Sequence, residues 1–233
     1  MNAVITGASR GIGKATARIF ALHRYDLYLT SKNEDALLKT IEELQKDFPN
    51  VSIDGKAFDL GNKQQAQLFG EWVATTAGTI DVLVNNAGNF MQGNVSDEPD
   101  GALEEMIKAN LYSAYHLTRT LLPKMKEAKG GHIFTLCSIA SMAAYPNGGS
   151  YSISKFALLG FTKNLRRELQ PYGIKVTAVV PGAAYTDSWK GSGVSPQRLM
   201  EADDVAKAIF HATLLSPQAV VEEITIRPQL GDL

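Results

Sequence analysis

A glycine-rich segment near the start of the chain most constrains what this sequence can fold into. Residues 6–13 have the sequence TGASRGIG, and they follow the apolar residues 3–5 and precede a helical pattern. A strand that leads through a glycine-rich turn into a helix presents backbone N–H groups at the positive end of that helix. This arrangement favours a site for the pyrophosphate of a nucleotide, although an ordinary tight turn would also contain glycines.

The spacing of the three glycines differs from that of the common dinucleotide-binding and P-loop motifs. We expect Gly7 to allow the turn off the strand and Gly11 to leave room for a phosphate beside the backbone. Gly13 would let the helix pack closely on the sheet.

Composition limits the class of protein and of partner. The 233 residues suffice for one α/β domain, and 23 basic against 24 acidic side chains create no strong net field. We therefore expect a small-molecule partner, with no binding to nucleic acid or to a membrane. The single cysteine, Cys137, excludes internal disulfides and thiolate metal clusters, so we expect no metal and a packed thiol. A cytoplasmic protein without a targeting segment or membrane span is predicted.

Short apolar runs alternate with helical patterns along the whole chain. Strands are predicted at residues 3–6, 26–30, 51–58, 80–84, 132–137, 174–180 and 223–226. Helices are predicted at residues 13–23, 35–47, 63–76, 101–128, 151–170 and 203–215. In the helix at 101–128, the predicted buried stripe consists of Leu103, Met106, Ile107, Leu111, Ala114, Leu117 and Leu121. Strict alternation predicts a doubly wound, seven-stranded parallel sheet with helices on both faces, in a single domain. Ligands of such sheets bind at the carboxyl ends of the strands.

Tyr151 and Lys155 are four residues apart at the start of a predicted helix, which places the phenol and the ammonium group on one face. A nearby cation favours the phenolate and brings proton transfer by tyrosine closer to neutral pH. The chain contains a second pair with this spacing, Tyr28 and Lys32, but it belongs to a strand, where four residues span about 13 Å. Only the first pair can act together.

Three other polar positions lie where a site is expected. Ser138 follows the strand at 132–137, although a serine there is often only a turn or capping residue. Asn110 lies on the apolar stripe of its helix and needs a hydrogen-bonding partner, either in a site or within the core. Residues 85–88, NNAG, follow the strand at 80–84, where small residues would admit a ligand and amides could bridge strands, or where they form a simple turn.

These motifs together resemble one family. TGASRGIG at 6–13, NNAG at 85–88, Asn110, Ser138, YSISK at 151–155 and PG at 181–182 occur in the order and at the spacings of the short-chain dehydrogenase/reductase family. The resemblance to its compact, single-domain members extends along essentially the whole chain. It implies a Rossmann fold and an NAD(P)-dependent oxidoreductase that acts on CH–OH or C=O groups.

The resemblance also implies catalytic roles. Tyr151 would be the general acid that protonates the carbonyl oxygen, and the base in the reverse reaction. Ser138 would hydrogen-bond the same oxygen. Lys155 would lower the pKa of Tyr151 and bind the nicotinamide ribose, and Asn110 would hold a water that links Lys155 to solvent.

Further residues are expected to bind the cofactor, with Thr186 at the nicotinamide carboxamide and Asp59 at the adenine. The expected cofactor-binding residues are Gly7, Ser9, Arg10, Gly11, Ile12, Gly13, Ser31, Lys32, Asp59, Leu60, Asn85, Ala87, Gly88, Tyr151, Lys155, Pro181, Gly182, Ala184 and Thr186. NAD-binding sheets usually place an acidic residue after the second strand, whereas Ser31 and Lys32 stand there in this chain. Lys32 and Arg10 could face a 2′-phosphate, as in NADP-preferring members, or could be solvated surface cations. The expected cofactor is therefore NADP rather than NAD.

The substrate is less well defined by sequence. Residues 183–200 are expected to form a lid over the substrate within a single domain, 1–233. Tyr145, Tyr185 and Trp189 would line the substrate pocket, together with Phe90 and Met91, unless they serve packing alone. A ketone, aldehyde or secondary alcohol is expected. The alternatives are a 3-oxoacyl-carrier-protein reductase, which the short lid and the chain ending disfavour, and a non-catalytic dinucleotide-binding regulator.

Family members associate through the helices that would carry Asn110 and Tyr151, which implies a homodimer or homotetramer.

Overall fold

The computed structural model describes residues 1–186, 189 and 193–232. This part of the chain forms one sheet of seven parallel strands in the order β3-β2-β1-β4-β5-β6-β7. The strands are β1 (Asn2–Thr6), β2 (Asp26–Ser31), β3 (Ile53–Ala57), β4 (Val82–Asn85), β5 (His132–Leu136), β6 (Lys175–Pro181) and β7 (Glu223–Ile226). The chain order reverses between β1 and β4, which creates a crevice at their carboxyl ends.

Helices cover both faces of the sheet, so the predicted doubly wound fold is confirmed. The α-helices are α1 (Gly11–Leu22), α2 (Glu34–Asp47), α3 (Lys63–Thr76), α4 (Ala102–Ile107), α5 (Ser113–Ala128), α6 (Gly149–Leu169) and α7 (Ala202–Thr213). One core contains Phe20 of α1, Leu44 of α2 and Ile209 of α7. The opposite core contains Phe69 of α3 and Leu121 of α5. Within the described ranges, every helix is too short or too polar to cross a lipid bilayer.

The long helix predicted at 101–128 is interrupted where Asn110 lies. A π-helical segment, Lys108–Tyr112, separates α4 from α5 and adds a residue to the turn. The buried face of α4 is thereby shifted by one position, so that Ala102 is buried. Leu103, predicted to be buried, is 40% exposed. That prediction was wrong because it assumed one unbroken period of 3.6 residues.

Candidate active site

The polar residues singled out above lie along the carboxyl edge of β1, β4, β5 and β6. Gly7 has φ of +63° and Gly11 has φ of +52°, conformations that side chains disfavour. A Cβ on Gly13 would collide with the carbonyl oxygen of Gly7, so α1 can begin this close to β1 only with glycine there. Among the residues that the structure describes, the first turn of α1 carries no acidic side chain. Its positive end therefore suits the pyrophosphate of a dinucleotide.

The turn after β4 holds the glycine-rich turn in place through Asn86. The Asn86 amide donates to the carbonyl oxygens of Thr6 and Gly7 at 2.8 and 3.1 Å. The Thr6 hydroxyl accepts hydrogen bonds from the N–H groups of Asn86 and Ala87, each at 2.9 Å. Asn86 was not among the expected cofactor-binding residues, but it belongs to the NNAG turn, where amides were expected to be able to bridge strands, and its amide does bridge the turns after β4 and β1.

Asn85 was expected at the cofactor, and the structure shows its side chain bonded to a helix. It is buried, and its amide donates to the Thr118 hydroxyl of α5 at 2.9 Å. Leu60 is also buried, and it packs in the core beside Phe69. The Asn85 side chain is therefore tied to α5 and the Leu60 side chain belongs to the core, while their contacts with the cofactor stay predictions.

The residues expected around the adenosine end of the cofactor are close together. The hydroxyls of Ser9 and Ser31 are 2.8 Å apart. The Lys32 ammonium forms an ion pair with Asp59 at 2.9 Å, and the Lys32 side chain is 79% exposed. Arg10 is exposed on the same glycine-rich turn. The structure thus brings two cations and two hydroxyls to the edge formed by β1, β2 and β3.

Ser138, Tyr151 and Lys155 meet at the carboxyl end of β5. Ser138 caps a short 3₁₀ turn, Ile139–Ser141, in which Ala140 N–H donates to the Ser138 hydroxyl at 3.1 Å. The Ser138 hydroxyl is close enough to the Tyr151 phenol to favour the ionised form of that phenol. The Lys155 ammonium lies 5.8 Å from the centroid of the Tyr151 ring. It donates to the carbonyl oxygen of Leu136 at 2.8 Å.

Burial sets the protonation of these groups. It raises the pKa of Tyr151, against the opposing effect of the nearby Ser138 hydroxyl. Burial lowers the pKa of Lys155 to about 8. The resemblance implied a lowered pKa for Tyr151, but the phenol is more strongly affected here by its removal from water. Near neutral pH the phenol therefore carries its proton.

Asn110 connects this group to the loop after β4. Its amide donates to the Asn89 carbonyl oxygen at 3.0 Å and to the Ser154 hydroxyl at 2.8 Å, and its oxygen accepts from Asn89 N–H at 2.8 Å. A Cβ on Gly88 would lie 2.5 Å from the Asn110 oxygen and 3.7 Å from the Lys155 ammonium. The π-helical segment thus aims Asn110 toward the proposed catalytic residues.

Aromatic side chains adjoin Tyr151 on the outer side. Phe90 packs edge-to-face on the Tyr151 ring, with centroids 4.8 Å apart and planes at 84°. Burial, and to a smaller extent Tyr151 itself, raises the pKa of Tyr145 to about 12. Met91 is half-buried in the same loop as Phe90.

Residues 181–186, at the end of β6 and after it, lie on the other side of the site. Gly182 N–H donates to the Ile226 carbonyl oxygen at 2.8 Å, which fixes Pro181 and Gly182 at the sheet edge. Ala184 is buried and pairs with Met200. A Cβ on Gly11 would lie 3.1 Å from the Thr186 side chain, so Thr186 adjoins the glycine-rich turn.

Two of the predicted substrate residues belong to this segment. Tyr185 is exposed, with its N–H donating to the Met200 carbonyl oxygen at 2.7 Å. Trp189 N–H donates to the Thr186 carbonyl oxygen at 3.0 Å. Positions 187, 188 and 190–192 of the predicted lid lie outside the described residues.

Comparison with known proteins identifies the family of this chain. The profile of the short chain dehydrogenase family matches residues 1–195. An uncharacterised oxidoreductase of Staphylococcus aureus is 28% identical over 97% of this chain and 96% of its own length. One from Staphylococcus epidermidis is 29% identical with the same coverage.

Solved structures with bound NADP or NADPH resemble the fold closely. An alcohol dehydrogenase from the archaeon Thermococcus sibiricus, complexed with 5-hydroxy-NADP, is 28% identical with a TM-score of 0.89, covering 97% of this chain and 96% of that one. L-sorbose reductase from Gluconobacter frateurii, complexed with NADPH and L-sorbose, is 26% identical with a TM-score of 0.86, covering 97% and 94%. The chain therefore belongs to the short-chain dehydrogenase/reductase family and is an NAD(P)-dependent oxidoreductase.

Proposed function

We propose that the protein is an NADP-dependent reductase that transfers hydride between the nicotinamide and a ketone, an aldehyde or a secondary alcohol. The observation that carries this proposal is the meeting of Ser138, Tyr151 and Lys155 at the carboxyl end of β5, where the buried Lys155 ammonium lies 5.8 Å from the centroid of the Tyr151 ring. A protonated phenol, a second hydroxyl and a cation in one pocket are the groups that a carbonyl oxygen needs as it gains negative charge.

Each of the three residues has a defined task in carbonyl reduction. NADPH, when bound, supplies the hydride. Tyr151 donates its phenolic proton to the carbonyl oxygen, and Ser138 donates a hydrogen bond to the same atom. Lys155, which is mostly charged at neutral pH, stabilises the phenolate that remains on Tyr151. In the oxidation of an alcohol, the same groups act in reverse.

Asn110 is proposed to complete the set through the water relay implied by the resemblance. Its amide bonds to Asn89 and Ser154 support the side chain from both sides. Such a water would pass a proton from solvent to Lys155 as Lys155 passes one on to the Tyr151 phenolate, so that the phenol is restored after each turnover.

The preference for NADP rests on charge at the end of β2. The glycine-rich turn would hold the pyrophosphate, Lys32 and Arg10 would bind the 2′-phosphate, and Thr186 the carboxamide. NADP or NADPH complexes among the similar solved structures support NADP binding. The ion pair between Lys32 and Asp59 keeps the lysine at this edge. Asp59 is proposed to contact the adenine.

We propose that residues 1–233 act as one cofactor-binding and catalytic domain, with residues 183–200 as its substrate lid. The pairing of Ala184 with Met200 brings the two ends of this segment together, as a lid requires. Tyr145, Tyr185 and Trp189 would line the substrate pocket beneath it. Their aromatic rings favour a substrate with an apolar substituent.

A homodimer or homotetramer in the cytoplasm is the proposed state of the enzyme. Four large apolar side chains are exposed on the helical segments on either side of the site: Leu103, Tyr112, Ile153 and Phe156. Contact with a second copy through these helices would cover them. Sedimentation that shows a monomer at micromolar concentration would contradict this assembly.

The decisive experiment follows NADPH oxidation with a panel of aldehydes, diketones and 3-oxoacyl thioesters. For the best substrate, Tyr151→Phe should lower kcat at least about 100-fold because the general acid is lost. The dissociation constant for NADPH should change less than about twofold. Retained reduction by this variant would exclude Tyr151 as the acid. Turnover of 3-oxoacyl thioesters alone would favour the carrier-protein reductase, and no turnover of any substrate would favour the regulator.

A further inference from the structure

A half-buried carboxylate outside the proposed catalytic set is hydrogen-bonded to the start of the helix that carries Tyr151. We propose that Glu98 is a positioning residue that fixes residues 89–98 against α6 and so sets the substrate-facing wall beside Tyr151. This inference rests on the proposed role of Tyr151 as the acid.

Glu98 supplies a cap that α6 does not provide for itself. The residue before the helix is Gly148, which has no side chain to accept the N–H groups of the first turn. Ser150 N–H donates to Glu98 Oε2 at 3.1 Å, and the Ser150 hydroxyl donates to Glu98 Oε1. Ser150 is 1% exposed and Glu98 is half-buried, so both bonds are partly shielded from water. A carboxylate at the positive end of a helix is also favoured electrostatically.

The backbone at this junction is shaped to admit the carboxylate. A Cβ on Gly149 would lie 2.5 Å from the Gly93 carbonyl oxygen and 2.6 Å from Glu98 Oε2, and Gly149 has φ of +32°. Gly93 N–H donates to the Asn147 carbonyl oxygen at 3.1 Å. The loop that contains Gly93 and the start of α6 therefore contact each other through their backbones. This close approach requires glycine at position 149.

The loop is held at both of its ends, with Phe90 between them. At one end, Asn89 exchanges two hydrogen bonds with the Asn110 amide. At the other end, Glu98 holds Ser150, directly before Tyr151. Phe90 is 50% exposed yet packs on the Tyr151 ring. Phe90 directly follows Asn89 and its ring is half-exposed, so the position of the ring depends on the backbone that the two anchors hold.

The test compares Glu98→Ala with Glu98→Gln and with the matched control Asp97→Ala. Asp97 is the neighbouring carboxylate, is exposed, and bonds to the Asn94 amide at 3.2 Å instead of to α6. For each variant, kcat and KM for the best carbonyl substrate, the dissociation constant for NADPH and the melting temperature are measured.

Glu98→Ala should lower kcat/KM about tenfold, mainly through KM, because Phe90 and the substrate beside it lose their fixed position. Binding of NADPH should stay within about twofold of wild type. Glu98→Gln should recover most of the loss, because its amide can accept from Ser150 N–H and donate to the Ser150 hydroxyl. Gly149→Ala, which displaces the loop by another route, should reproduce the higher KM.

Three results would overturn the positioning role of Glu98. The first is a kcat/KM for Glu98→Ala within twofold of that for Asp97→Ala, and the second is a kcat/KM for Glu98→Gln no higher than that for Glu98→Ala. The third is a loss of NADPH affinity in Glu98→Ala equal to its loss of activity. Tyr151→Phe is measured in the same assay. Retained reduction by Tyr151→Phe would defeat the proposed function. A wild-type-like Glu98→Ala, in an enzyme that Tyr151→Phe inactivates, would defeat only the role of Glu98.

Discussion

The side-chain amide of Asn86 donates a hydrogen bond to the main-chain carbonyl oxygen of Gly7 at 3.1 Å, and thereby joins the turn after β4 to the turn after β1. The same amide bonds to Thr6. The shape of the proposed pyrophosphate site therefore depends on a residue that lies 79 positions away in the chain.

Asn86→Ala should weaken NADPH binding about tenfold and destabilise the fold by about 1–3 kcal/mol, because carbonyl oxygens at the turn lose their donors. The matched variant is Asn85→Ala, whose amide bonds to Thr118 on α5 instead. It should also lower stability but leave NADPH affinity within about twofold. Titration of NADPH fluorescence and urea unfolding measure both quantities. Equal losses of affinity in the two variants would show that the glycine-rich turn does not depend on Asn86.

Cofactor preference can be tested at Lys32. Lys32→Glu should lower kcat/KM with NADPH at least tenfold and change kcat/KM with NADH less than about threefold, because the new carboxylate repels only the cofactor with a 2′-phosphate. Steady-state rates with both cofactors give the ratio. Lys46→Glu, an exposed cation in the last turn of α2, is the charge-matched control. A parallel fall with both cofactors would assign Lys32 no part in discrimination.

The overall fold could be predicted because its signals are local. Apolar runs and helical periods predicted every strand and the main helices, and α3 and β7 have the predicted bounds. The π-helical segment could not be predicted, because the amino-acid sequence does not reveal which turn of a helix contains one extra residue. Leu103 was misplaced for this reason. The orientation of Asn85 and the contact of Glu98 with Ser150 depend on tertiary packing, which a single sequence does not display.

A buried histidine should make stability depend on pH. His132 hydrogen-bonds the Thr177 hydroxyl at 2.7 Å, and burial lowers its pKa to about 3. An unfolded histidine titrates near 6.5, so below this pH the unfolded chain binds more protons than the folded one. Stability is therefore lost as the pH falls from about 6.5 toward 3.

The measurement compares wild type with His132→Gln, which has no titrating ring. Between pH 6.5 and pH 4, the free energy of unfolding of wild type should fall about 3 kcal/mol further than that of the variant. Urea unfolding at several pH values gives both curves. Curves that stay parallel over this range would show that His132 is not held neutral by burial.

Arg198 joins the proposed lid to the C-terminal segment. Arg198 donates to the carbonyl oxygens of Leu230, Gly231 and Asp232 at 3.0–3.2 Å, and it lies two residues before Met200, which pairs with Ala184. Arg198→Gln should raise KM for the carbonyl substrate about fivefold, because about 1 kcal/mol of net hydrogen bonding is lost at a half-buried position. Hydrogen exchange at 230–232 should accelerate by a similar factor. Arg167→Gln, at an exposed position on α6, should change neither quantity. Unchanged exchange in Arg198→Gln would show that the segment is held by other contacts.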